Sequence, residues 1–180
     1  MPEYAAFLRG INLGKRSIKM ADLRQALSTA GYADVRTLLA SGNVLLASPQ
    51  ANAAVLGAEL EAVMRAAFGF EVPVLLRSAA EIAALVEAAP FENVAVDKDT
   101  RLYISFLAQP AQGLPQAFQD GDENFRILQV QPGYIASVVQ VDASRGTLNL
   151  MDALDKHFGA GITTRNWNTV LKVHAALQGT

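Results

Sequence analysis

The chain has 180 residues, 51% of them hydrophobic, no cysteine and a formal net charge of -2. Such a length can bury a core as one domain or two small subdomains, while the lack of cysteine excludes a disulfide framework, a thiolate nucleophile and a sulfur-ligated metal. With no run of 18 apolar residues, and acid in the opening MPEYAAFLRG where a signal peptide carries base, the sequence predicts a cytoplasmic protein without a membrane partner.

The first 77 residues read as strand, helix, strand, strand, helix, strand. EYAAFLR at 3–9 is short and apolar enough for a strand. Met20, Leu23, Leu27 and Ala30 then recur at helical spacing, and Gly31 supplies a left-handed stop. DVRTLLA and NVLLAS flank Ser41-Gly42, a hairpin signal, because a tight turn needs positive backbone dihedrals that glycine adopts freely. Leu56, Leu60, Val63, Met64 and Phe68 mark a second helix closed by Gly69. EVPVLLR at 71–77 gives a fourth strand, and Pro73 within it places that strand at a sheet edge. This order predicts a ferredoxin-like subdomain over residues 1–77, a four-stranded antiparallel sheet in order 4-1-3-2 backed by two helices.

Ser78 and Glu81 form a capping box for a helix starting near Ala79, and FENVAVDKDT follows as a loop, so residues 78–100 read as helix and linker. The second α+β subdomain, residues 101–180, begins with a strand at 101–108, a short helix at 114–119, a strand at 125–130, a QPGY turn and a strand at 135–141. Helices are expected at 148–159 and, from RNWNTVLKVHAAL, at 165–177. The element order of the first half is repeated only in part, and no residue-level repeat is evident. The fold class is therefore α+β, a ferredoxin-like subdomain followed by a smaller α/β one.

Charge is uneven: residues 1–40 carry +3, residues 41–100 carry -5 and residues 101–180 are neutral. Within the basic segment, GINLGK resembles a Walker A loop only superficially. Gly10 and Gly14 have three residues between them where that loop needs four, and Arg16 stands where the magnesium-binding hydroxyl belongs. The dinucleotide fingerprint Gly-x-Gly-x-x-Gly is absent as well.

Topology is more informative than the motif. In the predicted sheet the loop at 9–14, the turn at 41–43 and the start of the first helix emerge at one end. Arg9, Gly10, Asn12, Gly14, Lys15, Lys19, Ser41, Gly42 and Asn43 would together suit a carboxylate or a phosphate. The alternative is structural: the glycines shape turns, the asparagines satisfy backbone groups and the lysines are solvated. A second basic cluster lies in TTRNWNTVLK, where Thr164 is read as a helix cap, with Arg165, Thr169 and Lys172 on one stripe, Asn166 beside them and Trp167 as a largely buried anchor.

The segments FLRGINLGK with KMADLRQAL, then ASGNVLL, then TTRNWNTVLK, resemble the signatures of a bacterial family known as domain of unknown function 1697. The resemblance implies a ferredoxin-like first subdomain and a smaller second one, and brings no established activity with it.

Catalytic motifs are missing. Ser41 lacks the flanking glycines of a nucleophile elbow, His157 and His174 read as structural residues, and Asp120, Asp122 and Glu123 lack calcium-loop spacing. No metal or cofactor is expected. RNA stacking on the sheet is disfavoured, because NVLLAS has no aromatic and Tyr4 and Phe7 point to opposite faces, leaving loop contacts to phosphate as the only nucleic-acid route. Three functions remain open: a binding domain for a small anionic ligand such as a nucleotide, a hydrolase or transferase using the same cleft, and a protein-interaction module pairing through a sheet edge.

Overall fold

The structure, a computed structural model, describes residues 1–121, 124–142 and 148–179. It divides into two compact units, 1–84 with 171–180, and 85–170.

In the first unit β1 (Glu3–Leu8), α1 (Met20–Thr29), β2 (Ala33–Leu38), β3 (Asn43–Ala47), α2 (Ala53–Phe68) and β4 (Val74–Ser78) follow the expected sequence. The sheet runs β2-β3-β1-β4 with every neighbouring pair antiparallel, the predicted 4-1-3-2 order. The period-2 alternation of β1 sends Tyr4, Ala6 and Leu8 into a core shared with Leu23 and Leu27 of α1 and with Leu56, Leu60 and Met64 of α2. Asn52 caps α2, its Oδ1 accepting from the N–H groups of Ala54 and Val55. The fourth strand starts at Val74, not at residue 71. Pro73 has no N–H to give the ladder, and instead its carbonyl accepts from the Arg9 N–H at 2.9 Å.

The Ser78 capping box forms as read, with Glu81 N–H donating to Ser78 Oγ at 3.1 Å and Ser78 N–H donating to Glu81 Oε2 at 2.7 Å. It opens α3 (Ala79–Glu87). The second unit contains β5 (Thr100–Leu107), α4 (Gln116–Asp120), β6 (Phe125–Val130), β7 (Tyr134–Gln140), α5 (Leu148–Phe158) and β8 (Ile162–Asn166), which is followed by α6 (Trp167–Leu177). Its core gathers Leu107, Leu114, Ile135, Val139, Leu150, Leu154 and Ile162.

The strand β8 corrects the sequence reading, which began a helix at Arg165 with Thr164 as its cap. Ile162-Thr163-Thr164 is a β-branched run, stiff at χ1 and suited to a pleated surface. It pairs antiparallel with β5, and Thr164 spends its hydroxyl on Ser105 Oγ at 2.8 Å. The cap is Asn166, whose Oδ1 accepts from Thr169 N–H at 2.9 Å and from Thr169 Oγ1 at 3.0 Å.

With β8 in place the second sheet runs β6-β7-β5-β8, the same order as the first. The repeat extends to single residues. Tyr4, Phe7, Leu8 and Gly14 have counterparts at the same spacing in Tyr103, Phe106, Leu107 and Gly113. Leu8 N–H donates to Gly42 C=O, and Leu107 N–H to Gly133 C=O; Arg9 N–H donates to Pro73 C=O, and Ala108 N–H to Gly161 C=O. In each unit the fourth strand ends on the residue that caps the next helix, Ser78 in one and Asn166 in the other.

Candidate functional site

The loop after β1 and the turn between β2 and β3 do meet. Phe7 pairs with Asn43, Leu8 N–H bonds to Gly42 C=O at 2.9 Å, and Asn12 Nδ2 donates to the Ala40 carbonyl. Gly10, Asn12 and Gly14 all have positive φ, +69°, +56° and +66°, and so coil the loop tightly. Asn12 Oδ1 accepts from Ile18 N–H at 2.9 Å, and Asn12 N–H donates to Arg16 C=O at 2.6 Å. The loop is thus closed on itself and stitched to the turn.

This stitching changes the chemistry expected of the site. Asn43 is 1% exposed, with Nδ2 donating to Leu38 C=O at 2.8 Å and to Ser41 Oγ at 3.0 Å. Ile11 is buried against Gly42 and fills the space between loop and turn. The amides therefore serve the scaffold, and the exposed part of the loop includes its charged side chains. Lys15 and Lys19 are exposed, and neither makes an ion pair or side-chain hydrogen bond among the described residues. Arg9 is half-buried. Arg16 lies 5.8 Å from the Phe70 ring centroid and reaches Glu71 C=O at 3.5 Å. Lys19 is the N-cap of α1, and its side chain makes no capping bond there.

Arg165, Thr169 and Lys172 do not share a helical stripe, because Arg165 is the penultimate residue of β8. Arg165 is 7% exposed, and its guanidinium donates from Nη1 to Thr163 Oγ1 at 2.8 Å and Thr164 C=O at 2.9 Å. Desolvation pulls its pKa down to about 10. Arg77 holds the equivalent place in β4, donates likewise to the preceding carbonyl at 2.7 Å, and has its pKa lowered by burial against an opposing pull from Glu81. Arg77 was not singled out from the sequence; the shared pattern of strand, arginine and helix cap was its one signal. Lys172 is exposed on α6.

Trp167 is half-buried rather than largely buried, since it opens α6 instead of lying within it. Its ring meets Phe91 edge-on, with centroids 5.2 Å apart at 67°. Trp167→Ala should consequently destabilise by about 1–2 kcal/mol, less than loss of a core aromatic. A shift in denaturation midpoint checks this.

Other expected residues take structural places. His157 packs edge-to-face on Phe118 and Phe158. Asp120 accepts from Gln116 Nε2 at 2.6 Å, while Asp122 and Glu123 lie outside the described residues. Among the described residues no three His, Asp or Glu side chains group as metal ligands. Tyr4 and Phe7 are both buried, so neither offers a stacking surface on β1. No helix among the described residues is long and apolar enough to cross a membrane.

Residues 1–130 match the family profile described as Protein of unknown function (DUF1697). The chain belongs to this family. The DUF1697 match takes in the whole stitched loop and turn and stops short of the TTRNWNTVLK segment. A similar fold is seen in the structure of conserved bacterial protein SP0830 from Streptococcus pneumoniae, at 23% identity and a TM-score of 0.71 over 98% of each chain. A search of curated proteins found no match. Membership of DUF1697 fixes the family and the neighbour fixes the fold; the activity has to be argued from the residues.

Proposed function

We propose that this DUF1697 protein is a binding domain for a small phosphate-bearing ligand, such as a nucleotide, held on the outer face of the segment from Arg9 to Lys19. The observation that carries this reading is internal to the chain. The loop is built twice on one scaffold, with the glycines at 14 and 113 both at positive φ. The first copy carries Arg9, Lys15, Arg16 and Lys19, whereas the second, from Leu107 to Gln116, contains no lysine or arginine. The turn can therefore be made without cations, and their presence in the first copy calls for another cause. Exposed cations beside an α1 terminus with no side-chain cap suit an anion.

The double variant Lys15→Gln/Lys19→Gln tests it. Both side chains are exposed, so the unliganded melting temperature should hardly change, surface substitutions usually costing no more than about 0.5 kcal/mol. Affinity for phosphate and nucleotides at low salt should fall at least about tenfold, as charge-assisted bonds contribute about 1.5–3 kcal/mol each. Equal affinity in both proteins would show that the cations are only solvated.

A second reading, a protein-interaction module, is favoured by Leu13 and Leu39, which are 74% and 48% exposed beside the same loop and turn. Anion binding that survives the lysine variant, or is never seen, would move weight to that reading.

A further inference from the structure

A cleft of about 350 Å³ opens in the second unit where β5 begins and β8 passes into α6. Thr100, Arg101, Leu102, Asn166, Trp167 and Asn168 line it. We propose that this cleft binds a planar nitrogen heterocycle of the nucleobase type, stacked on Trp167 and read at its polar edge by the amides of Asn166 and Asn168.

The volume lies at the small end of ligand pockets, about 300–1,000 Å³, which suits a single ring system with a short substituent. Trp167 is half-exposed, its orientation is fixed by Phe91, and no hydrogen bond to its indole N–H is seen among the described residues. A fixed aromatic wall loses little entropy on stacking a flat ligand. Asn166 spends its Oδ1 on Thr169, which both locks the side chain and leaves Nδ2 as a donor. Asn168 is exposed, and its amide has no partner among the described residues. A side-chain amide pairs a donor with an acceptor, the complement of a base edge. Arg101 Nη1 is tied to Lys98 C=O at 2.8 Å and Thr100 C=O at 3.0 Å, which holds its charge at the rim. Val96, 62% exposed, gives the rim an apolar lip that a bound ring would cover.

The fold does not demand these residues. The equivalent junction in the first unit, where β4 passes into α3, reads Ser78-Ala79-Ala80 in place of Asn166-Trp167-Asn168. One copy thus makes the strand end, the cap and the helix start with two alanines. The aromatic and the second amide are additions to the scaffold.

Trp167 is the chain's single tryptophan, so its emission reports on this cleft alone. The full chain is titrated with adenosine, uridine, AMP and an eight-nucleotide single strand, with N-acetyltryptophanamide as the collisional control. Saturable quenching by a nucleoside is expected. A nucleoside carries no phosphate, so this result does not depend on the phosphate site of the first unit, and it would stand if that reading failed. Asn168→Ala should weaken binding about tenfold, one hydrogen bond to a ligand edge being of that order, with an unchanged melting temperature. Arg101→Gln should weaken AMP more than adenosine. Tighter binding of the oligonucleotide than of AMP, lost with rising salt, would identify a nucleic-acid strand as the source of the base; equal or weaker binding would identify a free nucleotide. Linear quenching matching the control, or affinity unchanged in Asn168→Ala, would overturn the proposal.

Discussion

Phe7→Ala and Phe106→Ala should each lower the free energy of unfolding by about 3–5 kcal/mol, the usual cost of emptying an aromatic site in a core. The two rings occupy the same place in the two units. Phe7 sits in β1 opposite Asn43 and Leu75, and Phe106 in β5 opposite Tyr134 and Thr163. They are 0% and 1% exposed, so truncation removes a full ring's burial. Leu13→Ala is the control: at 74% exposed it should shift the urea midpoint within about 0.5 kcal/mol. A loss below about 1 kcal/mol for either phenylalanine would mean that its ring is not held as the structure shows.

The equivalence of those rings also explains what the sequence conceals. The order of strands and helices over residues 1–77 was legible, apart from the start of β4, since those elements carry clean periods and their turns carry glycine or proline. The repeat was not, because its spacing is uneven. Phe7 and its partner Asn43 are 36 residues apart, but Phe106 and Tyr134 only 28. A fixed period therefore aligns the first strands and misaligns all that follow. The missing strand, β8, is five residues long and is followed at once by a helix whose apolar spacing begins inside it. Thr164 and Asn166 are both good caps by type, and only pairing with β5 decides which one is used.

At the candidate site, topology foretold which segments would meet, but not how their side chains would be spent. Whether an asparagine amide faces a ligand or its own backbone depends on the loop path, and a run of positive φ values can be anticipated at glycines but not at Asn12. Arg77 carried no local signal, being one arginine at the end of an apolar strand; only comparison with Arg165 makes it conspicuous.

Gly42→Ala should destabilise by about 2–5 kcal/mol and is the sharpest test of the stitched turn. Two costs combine. At φ +83° an L-residue pays about 1–2 kcal/mol for the left-handed region. The added methyl would also lie 2.5 Å from Ile11 Cδ1, 2.9 Å from Ile11 Cγ1 and 3.0 Å from Leu8 Cβ, an overpacking that costs about 1–3 kcal/mol. Leu8 Cβ is fixed by the β1 ladder, so relief has to come from Ile11, which is buried in the first unit's core and held by the Asn12 bonds on its C-terminal side. Gly14→Ala separates the two costs. Its φ is +66° but its Cβ would meet open space, so only the conformational part remains, about 1–2 kcal/mol. Chemical denaturation of both variants gives the difference directly. A deficit for Gly42→Ala no larger than that for Gly14→Ala would show that Ile11 yields and that loop and turn are loosely joined. A larger deficit, beside a Lys15→Gln/Lys19→Gln protein that melts like the parent and binds phosphate poorly, would divide this segment into its two parts: glycine and asparagine hold the scaffold, and lysine meets the ligand.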